Sequence, residues 1–267
     1  MHPLDTALAL QALGPGRWRG AALPAWQNMV GPFGGITAAQ ALAAVMRDAR
    51  RLGEPVALTV NFCAPLALGD FDIEVQPVRT NRSTQHWTVT VSQRGETVLT
   101  ATAMTALRRP TFSAVEVAPP PAPPPAQVPP LPPLNTVEWL NRYTLRYVSG
   151  GLPAQWDGAD VGDSRTVLWV QDAPPRPLDY AALTAMADVF YPRIWRRRAQ
   201  RVPIGTVSLT VYYLADNARL ARAQDRPLLG QATAQGYHAG YFDQSAQLWS
   251  EAGELLATTH QIVYFKE

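Results

Sequence analysis

From Pro110 to Pro133 the chain is crowded with proline, in the runs Pro119-Pro120-Pro121, Pro123-Pro124-Pro125, Pro129-Pro130 and Pro132-Pro133, and Glu116 is the only charge there. Proline locks φ and has no N–H, so a stretch like this enters neither a helix interior nor a sheet interior. It reads as a semi-rigid polyproline connector. The expected organisation is an N-terminal unit over 1–109, the connector over 110–134 and a C-terminal unit over 135–267.

The two flanking parts resemble each other. Val56-Ala57-Leu58-Thr59-Val60-Asn61-Phe62 matches Val207-Ser208-Leu209-Thr210-Val211-Tyr212-Tyr213. Gly95-Glu96 before an apolar, Thr-rich run parallels Gly253-Glu254 before Leu255-Leu256-Ala257-Thr258-Thr259, and Ile36-Thr37-Ala38 parallels Leu183-Thr184-Ala185. Three landmarks in one order on both sides of a linker point to a duplicated unit.

Each part reads as a short strand, a helix and then several strands. In the first, Arg17–Ala22 is a strand and Gly35 to Leu52 an Ala-rich helix stopped by Gly53. Strands follow at Val56–Phe62, Asp70–Val78, His86–Arg94 and Val98–Leu107, and residues 86–92 alternate with the period of a half-buried strand. In the second part Thr166–Gln171 is a strand, and Asp179 caps a helix expected to run to about Arg198. Strands at Thr206–Tyr213, Leu228–Gln235, Tyr241–Ser250 and Leu255–Phe265 complete the pattern. The fold class is therefore α+β. The second helix is nearly uncharged on both faces, which predicts a helix wrapped by a curved antiparallel sheet and flanked by a second unit.

Composition narrows the function classes. Hydrophobic residues make up 47% and charged residues 16%, which fits a packed soluble chain, and a net charge of +2 gives no overall pull toward nucleic acid. No run approaches the roughly 18 apolar residues of a membrane span, and residues 1–16 carry neither a basic leader nor a long apolar core, so a cytoplasmic location is expected. Cys63 is the only cysteine, so an intrachain disulfide is excluded, and its strand-like setting reads as packing. The four histidines show no ligand spacing, and neither a metal nor another cofactor is expected. There is no Gly-x-Ser-x-Gly elbow and no phosphate-binding Gly loop. Arg196-Arg197-Arg198 with Arg201 reads either as a solvated helix end or as a landing point for ligand phosphates.

Asp188 is the only acid in the apolar stretch of the second helix, and a buried carboxylate needs a partner or a function. The bland alternative is an exposed face or a local cap. Thr206 and Gln261, taken singly, read as ordinary strand residues. The internal comparison raises both: Pro55 stands where the second part has Thr206, Ala103 stands where it has Gln261, and the first helix offers no acid between Gly35 and Val45. One working site on a duplicated scaffold would produce that asymmetry.

Gly31-Pro32-Phe33-Gly34-Gly35 leading into an Ala-rich helix resembles the glycine pair that opens the first helix of the acyl-CoA thioesterase II family, a double hot-dog family. Asn81-Arg82-Ser83 before an alternating strand is similar to that family's Gly-Arg-Ser segment. Ala187-Asp188, Ile204-Gly205-Thr206 and Ala257-Thr258-Thr259-His260-Gln261 fall where the family keeps its Asp, Thr and Gln. The resemblance spans nearly the whole chain. It departs at Leu214, where the family often has His, and in the proline richness of the linker.

The resemblance implies a tandem double hot-dog fold, each half a curved antiparallel sheet around a long central helix. It implies Asp188, Thr206 and Gln261 as catalytic residues acting through water, and Gly34, Gly35 and Arg82 as substrate-binding residues. The substrate would be an acyl-CoA or other acyl thioester, with no cofactor, metal, nucleic acid or membrane span. Assembly into homo-oligomers stays open. The competing readings are a non-catalytic acyl-CoA-binding protein and an enoyl thioester hydratase or dehydratase. The latter usually pairs Asp with His, and no His neighbours Asp188 in sequence.

Overall fold

The structure is a computed structural model, and it describes residues 1–133 and 137–267. The N-terminal part runs α1 (Pro3–Ala7), β1 (Gln11–Gly14), β2 (Arg17–Ala22), α2 (Gly34–Arg47), β3 (Glu54–Phe62), β4 (Gly69–Thr80), β5 (Thr84–Gln93) and β6 (Glu96–Ala106). After the linker come β7 (Tyr143–Ser149), β8 (Thr166–Asp172), α3 (Tyr180–Met186), α4 (Arg193–Arg198), β9 (Ile204–Tyr213), α5 (Asn217–Ala223), β10 (Leu228–Thr233), β11 (Tyr237–His238), β12 (Tyr241–Trp249) and β13 (Leu255–Phe265).

Almost all strands join one antiparallel sheet in the order β1-β2-β4-β5-β6-β3-β9-β13-β12-β10-β8-β7, with β11 attached to β12. Outward from the β3–β9 seam, the two sides repeat one connectivity. Thr59 lies directly opposite Thr210 at that seam, and their hydroxyls are 3.0 Å apart. One position before each of these threonines, Leu58 faces Ala103 of β6 and Leu209 faces Gln261 of β13. The seam therefore relates the two sides by a local twofold.

Alternation along the strands sends Leu58, Val60, Val89, Val91, Leu209 and Val211 to one face, where α2 and α3 pack together in the main core. Helix α2 is rich in Ala, the best helix former, and Gly35 through Val45 are buried. It ends at Arg47, five residues before the predicted Leu52. The Asp48 carboxylate there accepts from the Arg50 N–H at 2.9 Å and pairs with the Arg50 guanidinium at 2.7 Å, a local arrangement that competes with further helix.

The second helix is also shorter than predicted: α3 stops at Met186 and α4 begins at Arg193, after Pro192. Proline disfavours helical backbone at the residue before it, so no helix continues through Tyr191 into α4. The expectation of one long helix from Asp179 to Arg198 is corrected to two short ones joined by a turn. The short elements α1, β1, β7, β11 and α5 were not anticipated.

The linker contains no strand over residues 110–133, but it does more than connect. Val128 and Ala122 pack on Val167, Trp169, Leu229, Trp249 and Leu255, which form a second apolar cluster on the outer face of β8, β10 and β12. The Trp169 indole N–H donates to Pro123 O at 3.0 Å. A proline-rich segment with few N–H groups can cover apolar surface while leaving few donors unpaired.

Val128→Asp should uncover this cluster, with a loss of about 2 kcal/mol in urea unfolding. Limited proteolysis within residues 110–133 should quicken in parallel. Unchanged stability and cleavage would mean that the linker is a passive tether.

Candidate active site

Asp188 lies two residues past the end of α3, in the turn that leads to α4, so it is not a mid-helix residue. That turn is fixed from beneath by Arg193, which is 0% exposed. The Arg193 guanidinium donates to Tyr191 O, to Gln244 Oε1 at 2.9 Å, to Ser164 O at 2.9 Å and to Thr166 Oγ1 at 2.6 Å. Its central carbon stacks 4.6 Å from the Tyr191 ring centroid. Oxygen acceptors therefore satisfy this buried cation, and burial lowers its pKa to about 10.

The Asp188 carboxylate faces the start of α2 and the last strand. Gln261 Nε2 on β13 donates to Asp188 Oδ1 at 2.8 Å, and the Gly35 N–H donates to the same carboxylate. Protein surrounds the group, yet one side stays open to a cavity. Burial raises its pKa to about 7, against the opposing pull of the Gln261 and Gly35 donors.

The glycines explain how α2 comes so close. A Cβ on Gly34 would lie 2.9 Å from Asp188 Oδ2 and 3.1 Å from the Phe62 ring. A Cβ on Gly35 would lie 2.5 Å from Ala185 O. Only residues without side chains let α2 bring its N–H groups to the carboxylate and still pack on α3.

The cavity beside Asp188 has a volume of about 380 Å³. Both parts of the chain line it. The N-terminal part supplies the loop from Asn28 to Pro32, Gly34 and Thr37 of α2, Phe62 through Leu66 at the end of β3, and Val98 and Leu99 of β6. The C-terminal part supplies Asp188, Ile204, Gly205 and Thr206 of β9, and Tyr264 of β13. Asp188 is the only charged residue in this lining.

Thr206 and Asp188 thus open onto one space, with Gln261 buried directly behind Asp188. Gly34 reaches the cavity and Gly35 reaches the carboxylate. Arg82 does neither: it is exposed in the β4–β5 turn. That turn lies beside Thr84, opposite Ala106, whereas the cavity lies near Leu99, opposite Val91. Seven strand residues separate the two places, roughly 23 Å at the usual rise. Arg82 therefore does not line this cavity, because the hairpin carries it to the far end of the sheet.

Cys63, expected to be packing, is exposed at the cavity, because β3 ends at Phe62. The Asn28–Pro32 loop and the Cys63–Leu66 segment gave no chemical signal in sequence. Only the sheet's closure brings them to the site. In the arginine run, Arg197 pairs with Asp160, Arg198 pairs with Glu267 at 3.2 Å, and Arg201 stacks on Trp156 at 4.4 Å. None of these arginines lines the cavity.

The local twofold maps this cavity onto a place that is filled. Pro55 and Ala103 occupy the positions of Thr206 and Gln261. Tyr180 opens α3 at the position that the repeat pairs with Phe33, and Tyr213 stands where β3 has Phe62. Tyr180 donates to Glu54 Oε2 at 2.9 Å, and its ring meets Tyr213 edge-on at 5.6 Å. The Tyr213 hydroxyl bonds Thr184 Oγ1 at 2.6 Å. Tyr180 and Tyr213 are thus both buried and fill the space there.

An acyl-CoA thioesterase N-terminal domain matches residues 23–106, and an acyl-CoA thioesterase C-terminal domain matches residues 115–265. The chain belongs to this acyl-CoA thioesterase family. It is 48% identical to a conserved protein of unknown function with a hot-dog fold from Alicyclobacillus acidocaldarius, over 100% of this chain and 99% of that one, with a TM-score of 0.94. A protein assigned as a thioesterase II from Thermobifida fusca is 22% identical over 100% and 98% of the two chains, with a TM-score of 0.85. An acyl-CoA thioesterase II from Mycobacterium marinum is 20% identical over 98% of each chain, with a TM-score of 0.76. The fold is the hot-dog fold, built here on a large antiparallel sheet with few helices. Among curated proteins none matches the sequence. No helix among the described residues is long and apolar enough to cross a membrane.

The raised pKa of Asp188 carries a stability consequence. Asp172, 2% exposed with no partner on either oxygen, is also raised to about 7, chiefly by burial. Between about pH 4 and 7 the folded chain keeps protons on these groups that the unfolded chain has released, so stability falls as pH rises through that window. Asp188→Asn should therefore unfold at higher urea than the parent at pH 8, by on the order of 2 kcal/mol, with little difference at pH 4. A variant no more stable than the parent at pH 8 would contradict a strained, buried carboxylate at this position.

Proposed function

We propose that the chain hydrolyses acyl-CoA or a related acyl thioester to the free acid and the thiol, at the cavity bounded by Asp188 and Thr206. The observation that carries this reading is the Asp188 carboxylate, held by Gln261 and the Gly35 N–H, raised to about 7, and open on one side to a cavity. Such a group is a base poised near neutral pH. Family membership supports the same reaction class.

In this mechanism Thr206 Oγ1 orients a water against Asp188, whose carboxylate the Gln261 amide holds from behind. The water oxygen attacks the thioester carbonyl carbon while Asp188 accepts its proton. Negative charge develops on the carbonyl oxygen, where N–H groups at the start of α2 and the positive end of its dipole stabilise it. Collapse of the tetrahedral species breaks the C–S bond, and the departing thiolate recovers the proton from Asp188. The cavity lining offers no Lys or Arg, so the phosphates of a coenzyme A carrier stay outside it.

Geometry disfavours a dehydratase. His260 is adjacent to Gln261 in sequence but points to the other face of the sheet, toward Ser245 and Asp243, so it is not a partner for Asp188. We also read the architecture as two hot-dog units, 1–109 and 135–267, with α2 and α3 as their central helices and the linker strapped across the outside. The cavity beside Asp188 takes its polar residues from the C-terminal unit and is walled by the N-terminal unit.

Thiol release from a panel of acyl-CoAs of different chain length tests the proposal. Asp188→Asn should lower kcat/KM by about 10²–10⁴-fold with the fold intact. Thr206→Val should cost less, about tenfold, because water retains other partners. In the parent, kcat/KM should rise with pH and level off above about 7, as Asp188 becomes ionised. Undiminished turnover in Asp188→Asn would remove that carboxylate from the mechanism, and binding without turnover in the parent would make the chain an acyl-CoA-binding protein.

A further inference from the structure

The β3–β9 seam does not run the full length of β9. Their pairing extends from Ala57–Tyr212 to Asn61–Ser208, while β9 continues for four more residues to Ile204, with β13 on its other side. The chain that leaves β3 bends away from β9: the N–H groups of Cys63 and Ala64 both donate to Val98 O, at 2.9 and 3.2 Å. Among the described residues no strand takes its place against residues 204–207. The sheet is therefore parted at this end. Residues 63–65 form one bank of the opening and residues 204–206 the other, and both banks line the cavity beside Asp188.

A bulge decides what faces this opening. The pairs Gln261–Leu209 and Val263–Thr206 lie two residues apart on β13 but three apart on β9, so Val207 is the extra residue. In a regular strand Thr206 would face the side opposite to Leu209. With the bulge it shares the inner face with the buried Gln261 and Val263. Gly205 then faces outward beneath the Tyr264 ring, which lies where a side chain on Gly205 would have to be. Tyr264 is 37% exposed. The cavity thus touches both faces of the sheet, with Thr37, Phe62 and Leu99 on the inner side and Tyr264 on the outer.

We propose that the substrate threads this opening, with its acyl group on the inner face against Phe62 and Leu99 and the pantetheine arm of its carrier leaving over the outer face between Cys63 and Tyr264. The inference rests on the thioester hydrolase reading of the site. A carbonyl held between Asp188 and Thr206 sits at the opening itself, so its two substituents depart in two directions. Inward the walls are apolar and closed, with Leu66 7% and Leu99 1% exposed. That side suits a hydrocarbon and would leave the amides of the arm without partners. Outward, Cys63 and Tyr264 meet solvent, and the carrier phosphates keep their hydration. The arm carries two amides, and the backbone of residues 204–207 presents matching donors and acceptors along an edge that β3 has left. An extended peptide adds to a sheet edge by the same bonds.

Cys63 is the only thiol of the chain and stands on the outer bank, its Sγ 4.0 Å from the Thr100 hydroxyl, so the parent protein can be plugged without a substitution. Labelling with pyrenyl maleimide should lower kcat/KM for acyl-CoA by about 100-fold, whereas methylthiolation, which adds one small group, should cost about twofold at most. Free CoA at ten times its Kd should slow the pyrenyl labelling by about tenfold, a readout that needs no turnover. Cys63→Ser, compared with and without the reagent, should be insensitive to it. Tyr264→Ala should raise KM by about tenfold, more than it lowers kcat, with the chain-length profile unchanged. Leu99→Ala should shift that profile to longer acyl groups. Full turnover by the pyrenyl-labelled protein would overturn the route and leave the hydrolase reading standing, and so would a chain-length shift in Tyr264→Ala. A parent that releases no thiol from any acyl-CoA would instead remove the hydrolase reading, and equal labelling rates with and without CoA would then overturn the route as well.

Discussion

The β3–β9 ladder is the contact on which everything else in this chain rests. It fuses two sets of strands into one antiparallel sheet, with Thr59 and Thr210 at its centre. Without it, each part would expose a strand edge and lose half of a shared core, because α2 and α3 pack on each other beneath the seam. The ladder also sets the register that brings Phe62 and the Cys63–Leu66 segment toward Thr206. The cavity is a product of that junction and belongs to neither part alone.

At the site, stability and chemistry pull in opposite directions. Burying a carboxylate costs free energy, and only two donors, the Gln261 amide and the Gly35 N–H, offset it. Full compensation would hold the pKa low and give a weak base. The partial compensation seen here leaves the group near 7, where it can take and return a proton. Arg193 keeps this strained carboxylate in place: its bonds to Tyr191, Ser164, Thr166 and Gln244 immobilise the turn on which Asp188 sits. The symmetric location shows the other outcome. With Pro55 and Ala103 in place of the polar pair, Tyr180 and Tyr213 fill the space there.

The two sides of the sheet also differ in how their outer surfaces are treated. The linker lays proline-rich chain over Trp169, Trp249 and Leu229, while β4 is kept soluble by Asp70, Asp72 and Glu74. The segment thus combines two functions that its composition alone would not separate. It spans from one part to the other and caps a hydrophobic cluster on the way.

Much of this was legible in the amino-acid sequence, because it is written in local pattern. Local pattern marked β2, β5 and β13 nearly to the residue, with period-two alternation explicit in β5; the internal repeat foretold the twice-used connectivity, and comparison of the two parts singled out Asp188, Thr206 and Gln261 as an unmatched polar set. Helix lengths were less legible: Asp48 captured nearby backbone, and Pro192 cut a run that hydrophobicity alone would have continued. The distance of Arg82 from the cavity was not legible either, because a short motif fixes a turn but not the end of the sheet to which that turn is carried. The sequence by itself determined the strands, the duplication pattern and the identity of the odd acid, since each depends on neighbours within a few positions. The cavity walls, the glycine contacts that admit Asp188, the Arg193 clamp and the filling of the symmetric space were decided only by tertiary structure, because each depends on residues far apart in the chain that meet when the sheet closes.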